Sequence, residues 1–394
     1  MTLTRVCLTD FRNIESAEID FDPGVNVLWG DNAQGKSNVL EAIYFSARGK
    51  SFRGAAEKQL IRYGQPFASV GVEYKKEGAE RTNTLEFTLP EAGRKQMYRD
   101  GVQETHLADM VSRLKAVLFT PQHLSLVSGG PLERRAFTDI AIATAYPAYI
   151  GAMTAFKKTL EQRNALLRET AISGRRPDYE VFEVFAEHLA GVSSVVASCR
   201  ADYIKRLDVL AREQVLSLSG GRDVLSLRYM PSGCTPTAIQ KDISDPVLGT
   251  GGMPDGAYAE AMKTLLMTNL DAELSAKTTL HGPHRDDVEI LLGSMPARHF
   301  ASQGQTRSIA LSMKIAEGQL THSMLKEKPI YLLDDVLSEL DESRRRYLLT
   351  KLRDDQMILT SCEPDFRVQN LTGYENVRRL CVENGRIVGE NPRF

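Results

Sequence analysis

Hydrophobic and polar positions divide the chain into three stretches with different periodicities. Up to about residue 119, apolar residues alternate with polar ones or form short continuous runs, which is typical of β-strands. From residue 131 to about residue 218, apolar residues recur at intervals of three and four, which predicts packed helices. Strand and helix patterns then mix from about residue 257 onward. The pattern therefore predicts an α/β protein that carries a mainly helical insertion.

The first stretch predicts two layers of β-sheet. Asp100-Gly101 predicts a tight hairpin turn, because both residues tolerate the positive φ angles that such turns need. We expect an antiparallel sheet that lies on a second sheet containing Val25–Trp29. The predicted strands are Arg5–Leu8, Ala17–Phe21, Val25–Trp29, Phe67–Tyr74, Asn83–Leu89, Gln96–Val102 and Leu114–Phe119.

Glycine and proline bound the helical insertion. Gly129-Gly130-Pro131 predicts a helix start, and the Gly/Pro/Ser-rich segment from Met230 to Gly256 predicts a closing loop or flap. The predicted domains are residues 1–125, 126–256 and 257–394. Basic residues are predicted on the polar faces of the inserted helices, as a solvated surface or as contacts to DNA phosphates. They are Lys157, Lys158, Arg163, Arg168, Arg175, Arg176, Arg200, Lys205, Arg206 and Arg212.

Composition narrows the class of protein. The 394 residues carry a formal net charge of −2, so a DNA-binding surface has to be a local basic patch. The N-terminus lacks the apolar core of a signal peptide, and no apolar run approaches membrane-spanning length. Five scattered cysteines contain no CxxC pair, which indicates reduced thiols and no structural zinc. We expect a cytoplasmic protein without a membrane partner.

The strongest chemical motif lies between a predicted strand and a predicted helix. It is the run Gly30-Asp31-Asn32-Ala33-Gln34-Gly35-Lys36-Ser37. Glycines allow backbone N–H groups to surround a phosphate at a helix N-terminus. Lys36 is expected to reach the β- and γ-phosphates of ATP, and the Ser37 hydroxyl to bind Mg²⁺. Upstream, the turn Phe11-Arg12-Asn13 places Arg12 either beside the phosphates or in solvent.

An apolar strand, Pro329–Leu333, ends in the two carboxylates Asp334 and Asp335. We predict that Asp334 holds Mg²⁺ opposite Ser37, and that Asp335 orients or deprotonates the attacking water. About 300 residues separate Lys36 from Asp334. The N- and C-terminal pieces must therefore share one sheet, with the helical part between them in sequence.

A third motif, Ser302-Gln303-Gly304-Gln305, opens a predicted helix. It offers a serine hydroxyl and free backbone donors, which together favour an anion. We predict that this tip contacts the γ-phosphate bound by a second copy of the chain, so that ATP joins two copies face to face. An ordinary helix cap is the alternative.

These three motifs resemble the ATP-binding-cassette heads of the structural-maintenance-of-chromosomes class, and further segments resemble the RecF family of bacterial recombination mediators. The resemblance implies a split ABC-type P-loop ATPase head, with a mixed sheet, an antiparallel layer and a helical arm. The segments that carry it are Phe11-Arg12-Asn13, Gly30–Ala42, Gly129–Phe137 with Glu133-Arg134-Arg135, Gly282–Asp287 and Leu332–Asp341.

The resemblance also implies a function. It implies an ATP-dependent homodimer that binds single-stranded, duplex or junction DNA. It further implies cooperation with a RecR-type protein in loading RecA at gaps, and roles in DNA replication, DNA repair and the SOS response. By the same resemblance Ser302, Gly304 and Gln305 form a signature that acts in trans, and Asp341 lies in the loop linking the two sites of the dimer. Gln122 is a weaker candidate for sensing the metal.

Two departures from transporter heads predict a weak ATPase that serves as a switch. The signature lacks a leucine and a double glycine, and Thr360-Ser361 stand where transporter heads carry a switch histidine. Two alternatives stay open, namely an ABC-type subunit of another machine and a small-molecule P-loop kinase. The 300-residue gap and the missing double-glycine signature disfavour a transporter subunit, and a kinase would need an acceptor pocket and lid arginines.

Overall fold

The chain folds into two units, and the first is built from both ends of the sequence. A computed structural model describes residues 1–111, 113–174, 176–234, 256–362 and 377–391. Met1–His123 and Lys314–Phe394 form one unit, here called the sheet unit. Leu124–Met313 form the other, here called the helical unit.

The strands of the described residues are numbered in chain order. They are β1 Thr2–Phe11, β2 Ile14–Asp20, β3 Val25–Trp29, β4 Phe67–Lys75, β5 Thr82–Pro90, β6 Gln96–Arg99, β7 Val102–Glu104, β8 Ala116–Phe119, β9 Leu225–Met230, β10 Asp287–Leu292, β11 Met295–Pro296, β12 Ile330–Leu333, β13 Met357–Ser361, β14 Val377–Glu383 and β15 Arg386–Asn391.

The helices are numbered in the same way, and short 3₁₀ turns lie at Glu57–Leu60 and Pro121–Leu124. They are α1 Lys36–Arg48, α2 Leu107–Met110, α3 Ser125–Ser128, α4 Pro131–Ala145, α5 Ala148–Ser173, α6 Tyr179–Ser219, α7 Ala257–Thr268, α8 Leu270–Ala276, α9 Ala297–Phe300, α10 Gln303–Leu325 and α11 Glu342–Lys351.

One layer of the sheet unit is an antiparallel sheet with the strand order β2-β1-β4-β5-β6-β7. Its last hairpin pairs Arg99 with Val102 around Asp100 and Gly101, whose φ angles are 49° and 78°. Two positive φ angles match the right-handed twist of the flanking strands. The predicted hairpin and the antiparallel layer are confirmed.

The second layer joins the two ends of the chain. Its strand order is β15-β14-β3-β13-β12-β8. The five strands from β14 to β8 run parallel to one another, and β15 is antiparallel to β14. β12 and β8 are buried along their whole length, as expected for parallel strands covered on both faces. Because β3 and β8 come from the N-terminal piece and the others from the C-terminal piece, the predicted sharing of one sheet is confirmed.

Helix α1 packs into the core that the two sheets share. Leu40, Ile43 and Phe45 are fully buried in one apolar cluster with Leu28 of β3 and Val70 of β4. Each such side chain stabilises the fold by about 1.5–3 kcal/mol relative to exposure. The helix ends at Gly49, whose φ of 67° is the left-handed conformation that glycine adopts without strain. This packing fixes the N-terminus of α1 at the end of β3.

The helical unit is built around α6, which has 41 residues. The Asp178 side chain caps its start by accepting from the Val181 N–H, and Gly220 ends it with a φ of 64°. By length and composition α6 is the single helix of the described residues that could cross a membrane, although half of the window concerned is buried inside the structure. The long helix predicted from Phe182 onward is confirmed.

The structure divides the chain differently from the predicted domains at one boundary. The first boundary, near residue 125, nearly coincides with the start of the helical unit, whereas that unit continues past residue 257 to Met313. The reason is a non-local pairing, because β10 pairs with β9, a strand that the sequence did not predict. As a division into functional domains, 1–125, 126–256 and 257–394 stays a prediction. The predicted flap at 230–256 lies mostly outside the described residues.

Candidate nucleotide-binding site

The phosphate-binding motif lies between the end of β3 and the start of α1, as its sequence predicts. Gly30 has a φ of 148°, and a Cβ there would lie 2.3 Å from the carbonyl oxygen of Val382. Gly35 has a φ of 113°, and its Cβ would lie 2.9 Å from Oδ1 of Asn13. Both positions therefore require glycine. The loop leads directly into the N-terminus of the 13-residue helix α1. The backbone N–H groups at a helix N-terminus favour an anion.

Lys36 folds back over this loop. Its Nζ donates to the carbonyl oxygens of Gly30 at 2.6 Å and Asp31 at 2.7 Å, and it lies 3.8 Å from Sγ of Cys362. The side chain is only 7% exposed. These backbone acceptors carry no formal charge, so they do not form an ion pair with Lys36.

The loop lines a cavity of about 350 Å³ that lies within the sheet unit. Cavities of this size are typical of small-molecule sites. The cavity brings Lys36 together with Asp335, although the two residues are far apart in sequence. Its lining residues are Asn13, Asn32, Ala33, Gln34, Gly35, Lys36, Ser37, Asn38, Arg53, Asp335, Thr360 and Cys362. Gly30 and Asp31 line a neighbouring cavity of about 290 Å³.

Asp335, which follows β12 by two residues, also lines the cavity. Asp334 is buried, and its Oδ1 accepts from the Thr360 hydroxyl at 3.2 Å. That hydroxyl oxygen accepts from the Asp335 N–H at 2.9 Å. Asp335 has a φ of 52° and is exposed. Thr360 therefore links the two carboxylate residues from the adjacent strand β13.

Arg12 and Asn13 take different positions. Asn13 lines the cavity and accepts from Nδ2 of Asn38 at 2.8 Å. Arg12 is absent from the lining residues, because its guanidinium donates to both carboxylate oxygens of the fully buried Glu41, at 2.8 and 2.9 Å. The cation that lines the cavity beside Asn38 is Arg53, which donates to Oδ1 of Asn38 at 2.9 Å. Contact between Arg12 and a phosphate stays a prediction.

The residues predicted to hold Mg²⁺ supply hard oxygen donors. Ser37 lines the cavity, whereas Asp334 is not among the lining residues and its carboxylate accepts from the Thr360 hydroxyl. A hydroxyl and a carboxylate are ligands that Mg²⁺ prefers, so the residues fit the ion. Gln122 is exposed in the turn after β8 and does not line the cavity. Its metal-sensing role stays a prediction.

The third motif lies in the helical unit and forms a reciprocal cap at the start of α10. The Ser302 N–H donates to Oε1 of Gln305 at 2.9 Å, and the Gln305 N–H donates to the Ser302 hydroxyl oxygen at 3.2 Å. This is a capping box. Ser302 is exposed, so its hydroxyl proton stays available to an outside acceptor. Gln305 instead donates from Nε2 to Oδ1 of Asp223 at 3.1 Å. Gly304 lies on the same first turn.

Asp341 begins helix α11 in the sheet unit. It accepts from the Arg344 N–H at 2.9 Å and from the Ser343 hydroxyl at 2.7 Å. These hydrogen bonds lower the pKa of the Asp341 carboxyl below its ordinary value. The linking role of its loop between two copies stays a prediction.

Two segments that carried the resemblance are joined to each other inside the helical unit. Arg134 donates to both carboxylate oxygens of Asp287, at 2.7 and 2.9 Å. Arg135 donates to the carbonyl oxygen of Asp286 at 2.6 Å. A bidentate Arg–carboxylate pair fixes the relative orientation of the two side chains. These segments therefore hold the fold of the helical unit.

The prediction that all ten basic residues of the insertion lie on polar faces is wrong for Arg163 and Arg200. Arg163 is fully buried and lies 2.7 Å from the Glu273 carboxylate. Arg200 is 3% exposed and donates to both oxygens of Asp139. Each acid lies far from its arginine in sequence, so periodicity alone could not reveal the pair. Among the described residues the exposed members are Lys157, Lys158, Arg168, Arg176 and Lys205, and Arg175 lies outside the described residues.

Comparison with known proteins places these observations in a family. Residues 2–380 match the family model described as RecF/RecN/SMC N terminal domain. The DNA replication and repair protein RecF of Lactobacillus johnsonii is 38% identical over 351 residues, which cover 89% of each chain. The protein of the same name from Clostridioides difficile is 31% identical over 388 residues, 98% of each chain.

Solved structures give the same relationship. The recombination mediator protein RecF bound to ATP, of the RecFOR pathway, matches with a TM-score of 0.86 and 28% identity, over 99% of this chain and 98% of that one. An Smc head bound to a domain of ScpA matches with a TM-score of 0.54 and 15% identity, over 98% and 97%; this likeness concerns the fold alone. The fold is thus the split ABC-type ATPase head of RecF and SMC proteins, with mixed and antiparallel sheets, as predicted.

Proposed function

The chain belongs to the RecF family, and from this membership we propose that it is an ATP-dependent DNA-binding protein of DNA replication and recombinational repair. The observation that carries the proposal is the cavity of the sheet unit, which brings Lys36 of the glycine loop together with Asp335 from the far end of the chain. A relative that matches over nearly the whole chain is described as bound to ATP.

ATP is the proposed cofactor, together with Mg²⁺. Loop N–H groups and Lys36 would hold the phosphates, and Ser37 with Asp334 would hold the ion, which neutralises phosphate charge when bound. Asp335 is proposed to orient or deprotonate the attacking water. A threonine at position 360 offers no imidazole to that reaction, so hydrolysis is expected to be slow and to act as a timer.

ATP-dependent dimerisation is the second part of the proposal. Ser302 of one copy would reach the γ-phosphate held in the sheet unit of the other. Two observations support it, namely that the Ser302 side chain is exposed and that it lies at the N-terminus of the 23-residue helix α10.

The proposed partners are DNA, a RecR-type mediator and a second copy of the chain. The exposed cations of α5 and α6 are candidates for contacts to DNA phosphates, which position a protein without reading sequence. By family membership we propose that the protein helps to load RecA at gaps or junctions, supports the SOS response, and acts in the cytoplasm.

Lys36→Met tests this function directly. The variant loses the ammonium that faces the cavity, so ATP should no longer raise DNA affinity, as measured by fluorescence anisotropy of labelled duplex. For the wild type, ATP should raise the affinity and salt should lower it steeply, because phosphate contacts release counterions. Lys50→Met, in the exposed segment after α1, is the matched control and should behave like wild type. Equal DNA binding with and without ATP by the wild type would contradict the proposal.

A further inference from the structure

The side chain of Gln305 is held by a residue that no sequence motif identified. Asp223 lies just after α6 and before β9, and its Oδ1 accepts from Nε2 of Gln305 at 3.1 Å. The Oε1 of the same amide accepts from the Ser302 N–H. One carboxylate therefore decides which way the Gln305 amide faces, because donor and acceptor ends of the amide are both used.

Asp223 is itself attached to the end of α6. Its N–H donates to the Ser219 hydroxyl oxygen at 3.0 Å, and Ser219 is the last residue of that helix. The neighbouring Arg222 donates from Nε to the Ser219 carbonyl oxygen at 2.9 Å. Gly220 and Gly221, with φ angles of 64° and 83°, make the sharp turn that brings Asp223 back toward the helix end.

These contacts form one continuous chain of hydrogen bonds within the helical unit. It runs from the end of α6 through Asp223 and Gln305 to Ser302. Helix α6 has 41 residues, and at 1.5 Å per residue it is roughly 60 Å long. A displacement or rotation of α6 would move Asp223 and so disturb the cap that holds Ser302.

We propose that Asp223 is a positioning residue for the signature serine. It holds the Gln305 amide in the orientation that caps α10, and it thereby couples the end of α6 to the group that contacts ATP in the other copy. The inference rests on the proposed ATP-dependent dimer and assigns Gln305 a supporting task inside its own copy. Ser302, and not the Gln305 side chain, then faces the partner's nucleotide.

Exchanging the hydrogen-bond donor and acceptor between Asp223 and Gln305 tests the proposal without truncating either side chain. Gln305→Glu keeps an acceptor for the Ser302 N–H but loses the donor to Asp223 and places two carboxylates together. We expect it to weaken the ATP-dependent dimer about tenfold, since each dimer contains two such contacts and a lost hydrogen bond costs a few-fold. Asp223→Asn keeps an acceptor for Gln305 and should stay within about threefold of wild type.

The double variant Asp223→Asn with Gln305→Glu restores the hydrogen bond with its donor and acceptor exchanged, so dimerisation should return close to the wild-type level. Dimer dissociation constants are measured by analytical ultracentrifugation with a non-hydrolysable ATP analogue. The nucleotide affinity of dilute monomer should be equal in all variants, which a general folding defect would not allow. Glu213→Gln, an exposed carboxylate on α6, is the control and should match wild type.

Two outcomes among the variants would overturn the inference while the proposed dimer stands. One is wild-type dimerisation by Gln305→Glu. The other is a double variant as weak as Gln305→Glu, which would mean that Gln305 touches the partner's nucleotide directly. If the wild type itself does not dimerise with ATP, the proposed dimer fails, and the inference fails with it.

Discussion

In the sheet unit the buried Lys36 lines an open cavity, whereas in the helical unit Arg163 is buried against the carboxylate of Glu273. The Lys36 amine is held by backbone carbonyl oxygens, which carry no formal charge. Glu273 neutralises Arg163, and both side chains are fully buried. Burial of a charge is therefore no guide to function by itself. The partner decides whether the group serves a ligand or the fold.

The largest expected difference between the Lys36 and Arg163 sites is in the effect of mutation on the free energy of unfolding. Arg163→Met leaves Glu273 buried without its partner, so the free energy of unfolding should fall by about 3–5 kcal/mol. Circular dichroism during urea unfolding measures the loss. Lys158→Met, an exposed cation on the same helix, should change stability by less than about 0.5 kcal/mol.

The Arg163→Met result can be sharpened by removing both charges. Arg163→Met with Glu273→Leu should recover much of the loss, because a buried ion pair is often replaceable by apolar side chains. ATP affinity of all folded variants should equal that of wild type. A loss below about 1 kcal/mol for Arg163→Met would show that the pair does not hold the helical unit together.

The next largest effect is on ATP hydrolysis in the sheet unit, without a change in the free energy of unfolding. Asp335→Asn removes the carboxylate proposed to orient or deprotonate water, so ATP hydrolysis should fall about 100-fold, while ATP binding stays intact. Phosphate release and nucleotide binding are measured separately. The exposed Glu342→Gln on α11 should hydrolyse ATP at the wild-type rate. Unchanged hydrolysis in Asp335→Asn would remove that residue from the reaction.

A smaller effect is the pH dependence of stability set by His284 in the helical unit. Burial lowers the pKa of His284 to about 4, from about 6.5 in the unfolded chain. The unfolded state therefore binds the proton first as pH falls below 6.5, which favours unfolding. The expected contribution is a loss of about 2 kcal/mol between pH 7.5 and pH 5.

His284→Gln should flatten this pH dependence, as followed by urea midpoints at each pH. His188→Gln, which changes an exposed histidine on α6, should leave the wild-type curve in place. An equally steep curve for His284→Gln would assign the pH dependence to other groups.

Local sequence was enough to predict the features whose partners are close in the chain. The glycine loop, the Asp100-Gly101 hairpin and the serine at the start of α10 each follow from a few adjacent residues. The shared parallel sheet followed from one further argument, the distance between Lys36 and Asp334. That argument works because both ends of a nucleotide site must meet.

Features that depend on remote partners were missed. Glu41 forms an ion pair with Arg12, and Glu273 forms one with Arg163. Residues of β9 form a strand because they pair with β10. None of these partners is adjacent in sequence, so periodicity carries no signal for them. Arg53 and Cys362 also line the cavity, although neither was among the predicted site residues.

The most direct test of the whole account is the mass of the protein in solution, measured by light scattering with ATP, with ADP and without nucleotide. If the N- and C-terminal pieces together bind ATP and Ser302 of another copy contacts its γ-phosphate, the protein should be a dimer with ATP. It should be a monomer with ADP and without nucleotide. Ser302→Ala should weaken the ATP-bound dimer. The same mass in all three states would contradict the account.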